Sequence, residues 1–283
     1  LETEIDWPQL SSVTGYKNDT TGLITAPTNS IYLKLRERNR CIHRDYQNIA
    51  VNGARTHAMI EISKTLARNQ KSDHPLLLFY SLIGNDVCSG EASFNRFTKP
   101  EEFYQNVVQT LDHLETILPP NSYVVFVGLA DGSLLYDFLK DAYHPLGVKY
   151  PQMYDYMNCL ETTPCWGWMN TNATVRRVTS EHAAELSKVY PKIIAEKSSS
   201  YKNFKMLYHE FPLSYMYKKY MEEGGNVVDL IEPMDGFHPS QIGGNLIAQG
   251  LYEWLSAEHP DALGPINPNN HIIDKLFGDQ GGY

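Results

Sequence analysis

Two apolar runs narrow the folds open to this chain. "PLLLFYSLI" at 75–83 and "SYVVFVGL" at 122–129 are continuous rather than alternating. A strand with one wet face alternates apolar and polar residues, whereas a parallel strand covered on both faces does not. Helical spacing lies around and between them. Ala58, Ile62 and Leu66 repeat every four residues, and Phe103, Val107, Leu111, Leu114 and Leu118 form a longer stripe. Thr98 and Glu101 read as a capping box opening that second helix, which Pro119-Pro120 stops. Residues 1–40 are polar and loop-rich, and Tyr46–Val51 reads as a short strand breaking at Asn52-Gly53.

Downstream, 130–178 lacks clear periodicity and is crowded with aromatic side chains. "TSEHAAELSKVYPKIIAEK" is helical with a kink at Pro191, and "FKMLYHEF" is a strand. "LSYMYKKYMEE" is a helix ended by Gly224-Gly225. Gln241–Leu255 closes the domain as an amphipathic helix, and a Pro/Gly/Asn-rich tail follows from about Ala257. Alternating strands and helices predict a parallel sheet with helices on both faces, a three-layer α/β/α arrangement. In such sheets ligands bind beyond the carboxyl ends of the strands. Asn52-Gly53, Gly84-Asn85 and Asp235 all follow strand-like segments.

A net charge of -9 argues against a nucleic-acid partner, since binders of phosphate backbones concentrate positive charge. No run of about 18 apolar residues offers a membrane span. Cys41, Cys88, Cys159 and Cys165 are not spaced as a zinc site; three intrachain pairings stay open, as does a bond to another chain. Sequons at Asn18 and Asn172, together with the even cysteine count, suggest a secretory compartment.

Asp235 and His238 stand three residues apart in "DGFHP", before a helix. A carboxylate so placed can accept from imidazole Nδ1 and leave Nε2 as a general base; a helix cap beside a surface histidine is the plainer alternative. Asn85 is either ordinary turn chemistry or an oxyanion donor, and Gly53 either a turn glycine or a backbone N–H that a substrate can approach closely.

In this order, Asn52-Gly53, Gly84-Asn85-Asp86 and Asp235-Gly-Phe-His238 resemble the second, third and fifth blocks of the SGNH (GDSL-like) hydrolase superfamily. "DWPQLS", "HRDYQNI", "IGNDVCSG", "YHPLG" and "FGDQGG" bring the likeness closer to its branch that removes secondary acyl chains from lipopolysaccharide. The resemblance implies a hydrolase domain over 1–256, with an insertion at about 130–178 and a tail at 257–283. It makes His238 the base, Asp235 its orienter, and Gly53 with Asn85 the oxyanion donors. It also implies a lipid A substrate, a saposin-like small subunit as partner, and a secreted or endolysosomal location. No cofactor is implied within this chain; calcium in a part outside it stays open.

The superfamily's nucleophile is a serine in a Gly-Asp-Ser block on the first, central strand. This chain has no Gly-Asp-Ser: its single Gly-Asp, Gly278-Asp279, precedes Gln280. The expectation is therefore that the serine and its strand come from a segment outside this chain. A carboxylesterase or carbohydrate deacetylase on the same fold, or a catalytically dead lipid-binding module, are the competing readings.

Overall fold

The computed structural model describes residues 7–17, 26–82 and 84–279. Its helices, in chain order, are α1 (Ile31–Arg38), α2 (Met59–Ser63), α3 (Pro100–Ile117), α4 (Ser133–Leu139) and α5 (Tyr150–Cys159), then α6 (Ala173–Ser187), α7 (Val189–Lys197), α8 (Leu213–Glu222), α9 (Gln241–Glu258) and α10 (Asn270–Phe277). Strands β1 (Leu77–Ser81), β2 (Ser122–Val127) and β3 (Phe204–His209) form a parallel sheet in that order, with Leu77 opposite Tyr123 and Ser122 opposite Phe204. The chain is thus α/β with a parallel sheet, consistent with the three-layer class.

The fold divides into two compact units. The larger holds Ile49–Phe211 and Pro233–Phe237. Its core lies on one sheet face, where Val124 and Phe126 meet the α3 stripe and Tyr190 and Ile193 of α7. Phe103, Val107, Leu111 and Leu114 are at most 1% exposed. Each such side chain contributes about 1.5–3 kcal/mol relative to exposure. Val125 and Val127, pointing to the opposite face, are buried as well, so β2 is covered on both sides. In β1 only Tyr80 is fully buried, because β1 is an edge among the described strands.

The smaller unit comprises the described parts of 1–48, Pro212–Glu232 and His238–Tyr283. There α1 and α8 pack against α9, which buries Ile247, Ala248, Leu251 and Leu255. An ion pair from Arg40 to Asp274 (3.1 Å) ties α10 back to the segment following α1.

Several expectations are corrected. Tyr46–Val51 is not one of the described strands but irregular chain, and Val51 is exposed. The stretch expected to be loop-rich before residue 40 contains α1, and the aperiodic 130–178 segment contains α4, α5 and the start of α6. Thr98 does not cap α3: Lys99 holds that position with Pro100 at N1, while the Thr98 hydroxyl bonds Asp86 instead. Pro191 produces no mid-helix kink. The helix breaks at Lys188, and Pro191 falls in the first turn of α7, where a missing N–H costs little.

Candidate active site

Beyond the end of β1 the chain makes a tight turn, in which the amides of Val87 and Cys88 donate to Gly84 O at 3.0 and 2.9 Å. Asn85, half-buried, sends Nδ2 to Ala54 O at 2.8 Å, beside Gly53. Gly53 has φ +70°, and among the described residues nothing lies within 4 Å of where a side chain would begin. The two oxyanion candidates are therefore neighbours. The next residue grips the same loop: Asp86 Oδ1 accepts from Thr56 Oγ1 at 2.7 Å, and Asp86 Oδ2 from Thr56 N at 3.2 Å. Arg55 donates to Arg96 O at 2.6 Å and to Cys88 O at 2.5 Å.

Asp235 lies in the same unit, 2% exposed. Its Oδ1 accepts from Phe237 N at 2.8 Å. It does not cap α9; Ser240 does, accepting from Gly243 N at 3.3 Å. The helix-cap reading of Asp235 is thereby set aside. Three rings hold its loop by carbonyl oxygens. Tyr150 OH donates to Pro233 O at 2.8 Å, Tyr154 OH to Gly236 O at 2.7 Å, and His144 Nε2 to Met234 O at 2.9 Å. Leu146 N donates to His144 Nδ1 at 3.1 Å, which places the imidazole proton on Nε2. Burial, with Tyr150 and Asp235 adding, pushes the Tyr154 hydroxyl far up, so it stays protonated as a donor.

Trp168 joins the Asn85 loop to the Asp235 loop. A side-chain carbon on Gly84 would sit 2.7 Å from its ring and one on Gly132 2.3 Å, so both positions need glycine. Its ring also stacks with Phe237, centroids 6.4 Å apart, while Nε1 donates to Ser180 Oγ at 3.0 Å. A disulfide between Cys88 and Cys165 fastens the same region, while Cys41 and Cys159 are exposed and outside any bridge. Asn172 caps α6 and is exposed; Asn18 lies outside the described residues.

His238 opens the return of the chain into the smaller unit. Its carbonyl accepts from Glu232 N at 2.8 Å, and Pro239 bridges to Ile231. The His238 side chain is half-buried. Ser81 sits exposed at the end of β1 and Ser240 is spent on its cap, so neither is placed as a nucleophile.

Residues 11–251 match the GDSL-like lipase/acylhydrolase family. The chain belongs to this family. Across its whole length it is 43% identical to acyloxyacyl hydrolase of Homo sapiens over 289 residues, 44% to that of Oryctolagus cuniculus over 290, and 43% to that of Mus musculus over 289. It covers 49%, 50% and 50% of those proteins, so the chain spans about half the length of the curated relatives it matches.

Asp86 and Gly236 stood in the resembled blocks without a role of their own, and the sequence assigned none to Thr56, Trp168 or the ring trio of Tyr150, Tyr154 and His144. A glycine-rich "GND" and "DGF" paired with a crowded aromatic segment was the available signal. The aromatic insertion divides: Tyr150, Tyr154 and Trp168 are core, whereas Tyr143, Leu146, Tyr156 and Leu160 are exposed. Among the described residues no helix is long and apolar enough to cross a membrane. Nor does any group of three or more histidine, cysteine or carboxylate side chains there fit a metal ion, and no step below uses one.

Proposed function

We propose that this chain forms part of a serine esterase that releases secondary (acyloxyacyl) fatty acids from the lipid A of lipopolysaccharide. Its likeness to acyloxyacyl hydrolases over its full length supports this reading, and one observation carries the chemistry: Asn85 spends one amide hydrogen on Ala54 O, 2.8 Å away. A primary amide has two such hydrogens, so the second remains for the oxygen of a substrate held over Gly53. Fixing the amide nitrogen toward Ala54 also fixes which way that second hydrogen points.

The nucleophilic serine comes from a segment outside this chain. His238 takes its proton as Oγ attacks the ester carbonyl, and Asp235 holds the imidazole in the required tautomer. Negative charge on the former carbonyl oxygen meets Gly53 N–H and Asn85 Nδ2. Collapse expels the hydroxyl of the primary chain, which receives its proton from His238. Water, deprotonated by His238, then attacks the acyl-enzyme and frees the fatty acid and the serine. The Cys88–Cys165 bridge supports an oxidising, secretory location, and a saposin-like subunit is the proposed lipid-binding partner.

The test is fluorophosphonate labelling of the native preparation, with intact mass taken with and without reductant. The expected adduct lies on a co-purifying or linked polypeptide rather than on this chain. In the full-length protein, His238→Ala is expected to abolish turnover and Asn85→Ala to lower it about 10²–10³-fold. Near-normal turnover by His238→Ala would overturn the assignment. Faster turnover of acetylated sugars than of acylated lipid A would favour a deacetylase instead, and no adduct at all a dead module.

A further inference from the structure

Asp86 takes no part in the chemistry above, yet it is a carboxylate with 0% exposure placed next to the proposed oxyanion donor. Its bonds are directed. Thr56 offers it both backbone N–H and hydroxyl, at 3.2 and 2.7 Å, and the same hydroxyl accepts from Asn106 Nδ2 at 3.2 Å. Thr98 N donates to Asp86 O at 2.9 Å, which anchors the carboxylate's own backbone to the start of α3. Successive residues thus clasp one loop from one side, Asn85 at the Ala54 carbonyl and Asp86 at Thr56. Holding the chain at Ala54 and Thr56 leaves the adjoining Gly53 little freedom, although the space where its side chain would begin is open among the described residues.

We propose that Asp86 is a positioning residue for ester hydrolysis, holding the Gly53–Thr56 loop so that Gly53 N–H and Asn85 Nδ2 converge on one oxygen. This rests on the oxyanion reading of Asn85. The Asp86 carboxylate meets the Thr56 donors with both oxygens, Thr56 N lying 3.3 Å from Oδ1 and 3.2 Å from Oδ2. Thr56 presents two donors to it, and an amide of the same size would turn one acceptor into a third donor facing them. Donors preorganised toward a developing charge lose most of their effect when displaced by about an ångström.

The experiment compares Asp86→Asn, Thr56→Val, Thr56→Ser, Asn85→Ala and the double variant Asn85→Ala/Asp86→Asn in the full-length protein. The probe is a short-chain p-nitrophenyl ester, with kcat and KM separated and thermal midpoints recorded. Expected is a fall in kcat of about 10- to 100-fold for Asp86→Asn and for Thr56→Val, KM within about twofold, and recovery in Thr56→Ser. In the Asn85→Ala background Asp86→Asn should cost less than it does alone, because one of the two donors it aligns is already gone. Normal kcat in Asp86→Asn beside a damaged Asn85→Ala would overturn the inference and leave the oxyanion reading standing; so would losses that multiply in the double variant. Full activity in Asn85→Ala would remove the reading beneath it. Should Asp86→Asn fail to fold, the pair at Thr56 decides, and equal activity of Thr56→Val and Thr56→Ser overturns the inference.

Discussion

Burial raises the Asp86 carboxyl above its ordinary value, against the opposing pull of the Thr98 and Thr56 bonds and of Arg55. Tyr80 and Tyr190 are the other titratable groups that feel it, and burial pushes both hydroxyls so high that they stay neutral. The sign follows from linkage. Between the ordinary carboxylate value and the raised one, the unfolded chain has already lost a proton that the folded protein still holds, so stability falls as pH rises through that window. Asp86→Asn has no such proton. Denaturant titration of both proteins from about pH 4 to 7 should show the wild type losing ground to the variant with rising pH, then holding level. A gap that stays constant, or widens in the wild type's favour, would contradict the environment described for Asp86.

At the scale of elements, the Asp235 loop shows how a short segment is immobilised without belonging to a helix or strand. Gly236 has φ +63°, and a side-chain carbon there would sit 2.7 Å from the Tyr150 ring. Gly236→Ala therefore meets two costs, a left-handed backbone and an overlap with a buried ring. Together these should destabilise the larger unit by about 2–4 kcal/mol in urea unfolding. A loss under about 1 kcal/mol would mean that the loop is less tightly held than its tethers imply. The elements legible in sequence were those whose pattern is local: β2, β3, α3 and α8 follow continuous runs or four-residue stripes. Those missed depended on partners. Tyr46–Val51 has a strand's composition but is irregular in the fold, and α4 buries only Leu139 and α5 only Tyr150 and Tyr154, with no regular stripe to read. As candidates, Gly53, Asn85, Asp235 and His238 were legible through the order of the resembled blocks, each alone being ordinary turn or cap chemistry. Their holders were not, since a threonine, a tyrosine or a tryptophan signals nothing until the fold sets it beside a carbonyl or a glycine.

For the molecule as a whole, the Cys88–Cys165 bridge closes a separation of 77 residues and lies entirely within the larger unit. By restricting the unfolded chain, a loop of that length stabilises by about 4.5 kcal/mol in the chain-entropy view. Cys88→Ala/Cys165→Ala, or reduction, should lower the denaturation midpoint accordingly; an unchanged midpoint would show that packing around Trp168 suffices alone. The tethers on the Asp235 loop have a different kind of consequence. They take hold of the backbone oxygens of Pro233, Met234 and Gly236, and the side chains of Pro233 and Met234 stay exposed. Heritable change at 233 and 234 is thereby uncoupled from the placement of Asp235, whereas Gly236 and Tyr150 can vary only in concert. Related proteins can redress the outer face of this loop to suit a new surface or ligand while the carboxylate keeps its place.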